Sequence, residues 1–332
     1  MKNNRLPHLA TLAIAVIALT GSIASAQKKS PQKKSLPPTH NEVVYATIKS
    51  DGADRELHVD LWLPQSSKKT PLVLWIHGGG WAAGSHNRPL IALKQLLDSG
   101  FAVASVEYRL SGEATAPAQL HDVKGAVRFL RANAAEYNLD PDAFVAWGSS
   151  AGGHITALLA TSGGVAAAEG DVGGNLEHSS AIQAAVDYFG PTDLLQMTAD
   201  GSTTAGPGID RGAPRSAESR LIGFDGPNEG LTVLGKNLTN PAAPFPEMAA
   251  LVRLMNPIEH VTADDPPMFI AHGDKDLRVP LKQSIRLQEA LNAAGVECEL
   301  LTVEGAGHGW KQFPQCTPAV IKFLEAHLQA AP

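Results

Sequence analysis

A mostly parallel β-sheet flanked by helices on both faces is the fold the sequence predicts, and three observations predict it. Apolar runs rich in Val and Ile alternate with amphipathic stretches of helical period. Two alternating segments, Glu42 to Lys49 and Glu56 to Leu63, flank the turn signal Ser50-Asp51-Gly52 and read as an antiparallel N-terminal edge hairpin. A glycine-flanked serine, Ser150, stands directly between one apolar run and one helical pattern.

The elements follow in order. Residues 1–26 have the three zones of a secretory signal: Lys2 and Arg5, an apolar run from Leu9 to Leu19, then Ala24-Ser25-Ala26 as a small-x-small cleavage site. The apolar run is well short of the ~20 residues that span a bilayer, so the expectation is an exported chain, periplasmic or extracellular, without stable membrane insertion once the signal is cleaved. Residues 27–40 carry four lysines and three prolines and read as a flexible basic linker, too polar to offset its ordering entropy. From residue 41 to 332 the pattern is that of a single α/β domain.

Within it, buried-type strands are expected at Leu72–His77, Phe101–Tyr108, Ala143–Trp147, Ile182–Phe189, Met268–His272 and Glu297–Val303. Helical patterns separate them at Leu90–Asp98, Pro117–Tyr137, Ala151–Thr161, Leu281–Ala294 and Pro318–Leu328. One crossover, about residues 190–260, breaks the rhythm with a segment rich in Gly, Pro and Thr and two short helical candidates, around Arg215–Leu221 and Pro246–Met255. Its place above the carboxyl ends of the strands reads as a lid-like insertion.

Composition narrows the function classes. The net charge is -6, and removal of the two signal cations makes it more negative, which argues against nucleic acid as a partner. Cys298 and Cys316 are expected at opposite ends of a strand, about 17–20 Å apart, too far for a disulfide. Neither has metal-site spacing, and no His-Glu-x-x-His or dinucleotide-binding glycine motif in its proper context is present. No cofactor and no metal site is expected.

Three segments carry chemistry. Trp147-Gly148-Ser149-Ser150-Ala151-Gly152-Gly153 places Ser150 at a sharp strand-to-helix turn, where close glycines permit the strained backbone of a nucleophile. Of the two serines, only Ser150 has glycine both two residues before and two residues after it. His77-Gly78-Gly79-Gly80-Trp81 ends a strand, and unblocked amides there suit an oxyanion; Gly79 and Gly80, with Ala151, are the expected donors. A serine hydroxyl needs an imidazole oriented by a carboxylate. His308 in Gly305-Ala306-Gly307-His308-Gly309-Trp310 and Asp276 in His272-Gly273-Asp274-Lys275-Asp276 supply them in the chain order Ser, Asp, His that accompanies this kind of turn, with Asp274 the alternative acid. His77, His272, His154 and Glu107-Tyr108-Arg109 are read as structural. Trp81 and Trp310 are expected to line the substrate site and narrow it to short acyl chains.

The chain resembles the hormone-sensitive-lipase-like group of α/β-hydrolases in its His-Gly-Gly-Gly and Gly-x-Ser-Ala-Gly-Gly motifs. It resembles more closely the esterase branch that includes acetylxylan and feruloyl esterases, through Gly148 to His154, Tyr188-Phe189-Gly190-Pro191-Thr192-Asp193, and the His272 to Pro280 loop. Ser149 stands where the lipase-like group usually has aspartate, and that group's long amino-terminal helical cap is missing. The resemblance implies a serine carboxylesterase acting on a small-molecule or polysaccharide ester, possible acetyl or feruloyl groups included. A prolyl-oligopeptidase-like peptidase and a non-catalytic binding protein on the same scaffold are the alternatives.

Overall fold

The computed structural model describes residues 36–332 apart from 51, 89, 202–209, 225, 310, 312 and 329–332. The expected signal segment, residues 27–35 of the expected linker and Trp310 lie outside the described residues. No helix among the described residues is long and apolar enough to cross a membrane.

The chain enters the sheet through the hairpin β1 (His40–Ser50) and β2 (Ala53–Trp62), whose register closes at Ser50 opposite Ala53. β2 lies antiparallel to β4 (Ala102–Val106), and from there every neighbouring pair is parallel. With β3 (Thr70–Ile76), β5 (Leu139–Ser149), β6 (Ala184–Tyr188), β7 (Met268–Gly273) and β8 (Cys298–Val303), the order across the eight-stranded sheet is β1-β2-β4-β3-β5-β6-β7-β8. The fold is that of an α/β-hydrolase. All six expected strands and the hairpin are present, with ends shifted by a few residues.

Side chains alternate across β3: Leu72, Leu74 and Ile76 enter one core, Val73 and Trp75 the other. The first core is covered by α2 (Ala118–Ala132), α3 (Ala151–Thr161) and α9 (Leu281–Ala293), through Leu120, Val123, Ile155, Leu158, Leu287 and Leu291. The second is covered by α1 (Leu93–Asp98) and α10 (Thr317–Leu328), through Leu96, Phe323 and Leu324. Both faces being buried explains why the central strands read as near-continuous apolar runs.

The 190–260 crossover carries α5 (Met197–Gly201), α6 (Ala217–Ile222), α7 (Leu231–Gly235) and α8 (Phe245–Leu254). α4 (Ala166–Glu169) precedes it. Leu194, Met197, Leu221, Leu231, Leu234 and Val252 are all buried, so the described part of the crossover packs on the domain rather than standing away from it. Gln283 on α9 anchors its start, accepting the Thr192 and Asp193 amides at 2.8 Å each.

The strand order fixes where a site can form. The chain runs from β3 outward to β4, then crosses back past β3 to β5. Loops leaving β3 and β5 therefore part at the carboxyl edge of the sheet and leave a crevice there. The glycine run follows β3, and Ser150 follows β5.

Candidate active site

Ser150 links β5 to α3 with φ 54° and ψ -121°, a conformation L-residues rarely hold. Glycine on either side makes it possible. A Cβ on Gly148 would lie 2.1 Å from the Gly152 carbonyl oxygen, and one on Gly152 would lie 2.0 Å from that of Ile76. The Ser150 amide donates to Tyr188 O at 2.8 Å, which fastens the turn to β6.

The loops after β7 and β8 complete a hydrogen-bonded chain. His308 Nε2 lies 2.9 Å from Ser150 Oγ, and His308 Nδ1 lies 2.7 Å from Asp276 Oδ2. Asp276 is buried, and its Oδ1 accepts the Arg278 amide at 2.8 Å and the Val279 amide at 3.0 Å. Burial pushes this carboxyl up, but hydrogen bonds and charge from His272 and His308 outweigh it and hold Asp276 well below the usual carboxylate range. The carboxylate therefore takes the Nδ1 proton as acceptor, leaving Nε2 with a lone pair toward the serine hydroxyl. Phe189 packs edge-on to the His308 ring at 4.7 Å and limits its rotation.

Asp274, the alternative acid, is turned elsewhere. Its Oδ1 accepts the Gly305 amide at 2.6 Å and so ties the β7 loop to the loop that delivers His308. His272 is fully buried between Ser284 Oγ at 2.7 Å and Val279 O at 2.9 Å. His77 stacks on Tyr108 at 4.4 Å, and the Tyr108 hydroxyl donates to His77 O at 2.8 Å. Arg109 clamps Asp122 through its side chain, with contacts down to 2.6 Å.

Gly79 and Gly80 have φ of 126° and 59°, and a Cβ on Gly79 would meet Ala83 O at 1.9 Å. Their amides and that of Ala151, at the first turn of α3, donate no hydrogen bond within the described residues. Two lobes open beside Ser150 and His308. One, of about 320 Å³, is bounded by Gly80, Pro191, Ala217, Glu218, Leu277 and Val279. The other, of about 810 Å³, runs along the glycine loop past Ser85, Arg88 and Ile91 to Arg220.

Trp81 departs from its expected role. It borders the smaller lobe, yet only 2% of it is exposed. Its φ of 56° turns the indole inward, where Nε1 donates to His154 Nδ1 at 3.2 Å. No broad indole face is left for a sugar. His154 is itself fully buried, with Nε2 2.7 Å from Met255 O. Burial lowers its pKa to about 4, so the ring is neutral, donating through Nε2 and accepting through Nδ1.

Sequence reasoning missed Arg211. Its guanidinium reaches from the crossover to the carbonyls of Leu277 at 2.5 Å and Arg278 at 2.7 Å, directly beyond Asp276. An arginine inside a Gly- and Pro-rich stretch gives no local sign of such a contact. The two cysteines are free thiols.

A sharp strand-to-helix serine turn, an imidazole and a buried carboxylate thus meet on the carboxyl edge of an α/β-hydrolase sheet. The chain belongs to the BD-FAE family, whose model matches residues 59–291. Among curated proteins it is 28% identical to esterase LipQ of Mycobacterium tuberculosis over 73% of this chain and 51% of that protein. The chain thus spans about half the length of that relative. Among solved structures it is similar to a carbohydrate esterase from gut microbiota, with 30% identity, TM-score 0.70, and coverage of 86% of this chain and 94% of that one. It is also similar to a propionate-bound esterase of Thermogutta terrifontis, with 25% identity, TM-score 0.64, and coverage of 88% and 96%. The mycobacterial relative and both of these solved structures are described as esterases.

Proposed function

We propose that the chain is an exported serine carboxylesterase that removes acetyl, other short, or aromatic acyl groups from plant polysaccharide or similar small esters. The observation that carries this reading is the continuous chain from Ser150 Oγ through His308 to Asp276, at 2.9 and 2.7 Å. In this reading His308 Nε2 removes the hydroxyl proton as Oγ attacks the ester carbonyl. The oxyanion that develops is met by the amides of Gly79, Gly80 and Ala151, each such donor being worth about 3 kcal/mol of barrier. Collapse expels the alcohol with the proton from His308, and water then releases the acid from the acyl-enzyme by the same route in reverse.

The smaller lobe takes the acyl group, and the longer glycine-lined lobe takes the alcohol. A carbohydrate esterase and a propionate-bound esterase among the similar structures support a short acyl group on a sugar. The secretory pattern of residues 1–26 supports export.

The test is kcat/KM on acetyl, butyryl and octanoyl esters of one alcohol, run beside acetylated and feruloylated xylan. A common leaving group isolates acyl selection. Acetyl and butyryl esters are expected to be preferred, with turnover lost in Ser150→Ala and retained in Ser149→Ala. Octanoate at or above butyrate would overturn the short-acyl reading, and activity surviving in Ser150→Ala would move the nucleophile.

A further inference from the structure

Glu42, Asp60 and His86 converge where the hairpin meets the loop that follows the glycine run. The β1–β2 register shifts between His40 and Val43, and Glu42 there has φ of 51°. Such a bulge re-aims a side chain. The Glu42 amide donates to Asp60 Oδ1 at 2.8 Å, and its Oε1 lies 3.3 Å from His86 Nε2. One ligand atom from each of the three residues falls within 4.8 Å of the others.

His86 is the unusual member. Its side chain is 8% exposed, and neither ring nitrogen makes a hydrogen bond among the described residues. A buried polar group left this way forfeits the hydrogen bonds it had with water. The neighbouring basic side chains hydrogen-bond to Glu107 and Glu113 rather than to Glu42 or Asp60. Asp60 is 2% exposed. Glu107 Oε2 lies 4.0 Å from His86 Nδ1 but already accepts from His58 Nδ1 at 2.9 Å. Arg55 divides its guanidinium between Glu107 and Glu113.

We infer that Glu42, Asp60 and His86 form a binding site for a divalent first-row metal ion such as zinc. One imidazole nitrogen and two carboxylates form a donor set that zinc accepts. Donors about 2.0–2.1 Å from a tetrahedral ion stand about 3.3 Å apart, the separation already present between Glu42 and His86. Three protein donors leave a fourth position for water. The hydrogen bond from the Glu42 amide to Asp60 sets the second carboxylate in place, as groups outside a metal's own ligands commonly do. An ion here would fasten the glycine loop, which carries Gly79 and Gly80, to the edge hairpin. Its role is that of a staple, outside the ester chemistry.

The experiment uses the full chain, dialysed against chelator and then titrated with zinc chloride, with metal content and thermal midpoint both read. One zinc per chain and a rise in midpoint are expected. His86→Lys places an ammonium group among the carboxylates while removing the imidazole ligand; it should match the metal-free midpoint and lose the zinc response. Affinity should fall at least about tenfold, the loss that removal of even an outer partner produces. Glu42→Gln, at a half-exposed position, gives the same comparison should His86→Lys fail to fold. Absence of saturable zinc binding, undiminished binding in these variants, or an equal response to calcium would overturn the site.

Discussion

His154 offers a direct measure of how the nucleophile helix is held. The ring is fully buried and joins Trp81 on the glycine loop to Met255 O at the end of the crossover. Burial lowers its pKa from the usual 6.5 to about 4. The sign follows from linkage: the unfolded chain takes up a proton below pH 6.5, and the folded chain does not until about pH 4. Stability from this group is therefore full above pH 6.5 and is lost as pH falls toward 4. At about 1.4 kcal/mol for each pH unit between the two values the whole effect is about 3 kcal/mol, of which about 2 kcal/mol is gone at pH 4.5 relative to pH 7. His154→Gln keeps one donor and one acceptor at similar reach and does not titrate. Urea unfolding of both proteins at pH 7 and pH 4.5 supplies the comparison. The variant should be less stable at pH 7 and recover about 2 kcal/mol relative to the parent at pH 4.5. Other acid-sensitive groups are common to both proteins and cancel in this difference. A gap between them that stays constant across the two pH values would refute the buried neutral imidazole.

Two further outcomes follow from buried carboxyls. Asp276→Asn should lower kcat by on the order of 10³–10⁴ by failing to hold and compensate the His308 imidazolium, while Asp274→Asn should cost far less because Asp274 meets Gly305 rather than His308; steady-state kinetics on folded variants checks the ranking, and its reversal would transfer the acid role. Asp187, beneath the first turn of α3, accepts the Gly190 amide at 2.8 Å through Oδ1, while Oδ2 has no hydrogen-bond partner among the described residues, and burial raises its pKa to about 6. Its ionisation is penalised in the folded chain, so stability falls as pH rises from about 4 to 6, by about 3 kcal/mol. Asp187→Asn should lack that fall, and parallel unfolding curves for variant and parent over this range would remove the argument.

How much was legible in sequence depended on range. The strands could be read because both sheet faces are buried, and the Ser150 turn because its glycines answer to backbone contacts within a few residues. Boundaries were less visible. β5 begins at Leu139, where Thr70 pairs with it ahead of a register irregularity. α2 stops at Ala132, where Asn133 folds its Nδ2 back onto Phe129 O at 2.8 Å and the following residues form turns. The five-residue helices α5 and α7 are too short to show a period, and they stand because Met197, Leu231 and Leu234 are buried against the domain. Trp81 borders the smaller lobe as its neighbours suggested, but its positive φ, which the sequence does not show, sends most of the ring inward. Glu42, Asp60 and His86 form no motif, since only the hairpin register and the returning loop bring them together.

The crossover does more than border the cleft. At its near end Arg211 holds the carbonyls of Leu277 and Arg278, and the amide of Arg278 in turn donates to Asp276 Oδ1. At its far end Met255 O receives His154, whose other nitrogen accepts from Trp81, the residue directly after Gly80. One contact steadies the carboxylate side of the candidate triad, and the other steadies the helix of Ser150 together with the glycine loop. Between these two anchors, α6 supplies Ala217 and Glu218 to the smaller lobe. The segment that shapes the pocket is thus the segment that braces the reacting groups. A change in crossover packing therefore acts on both together, since cores transmit displacement rather than absorb it.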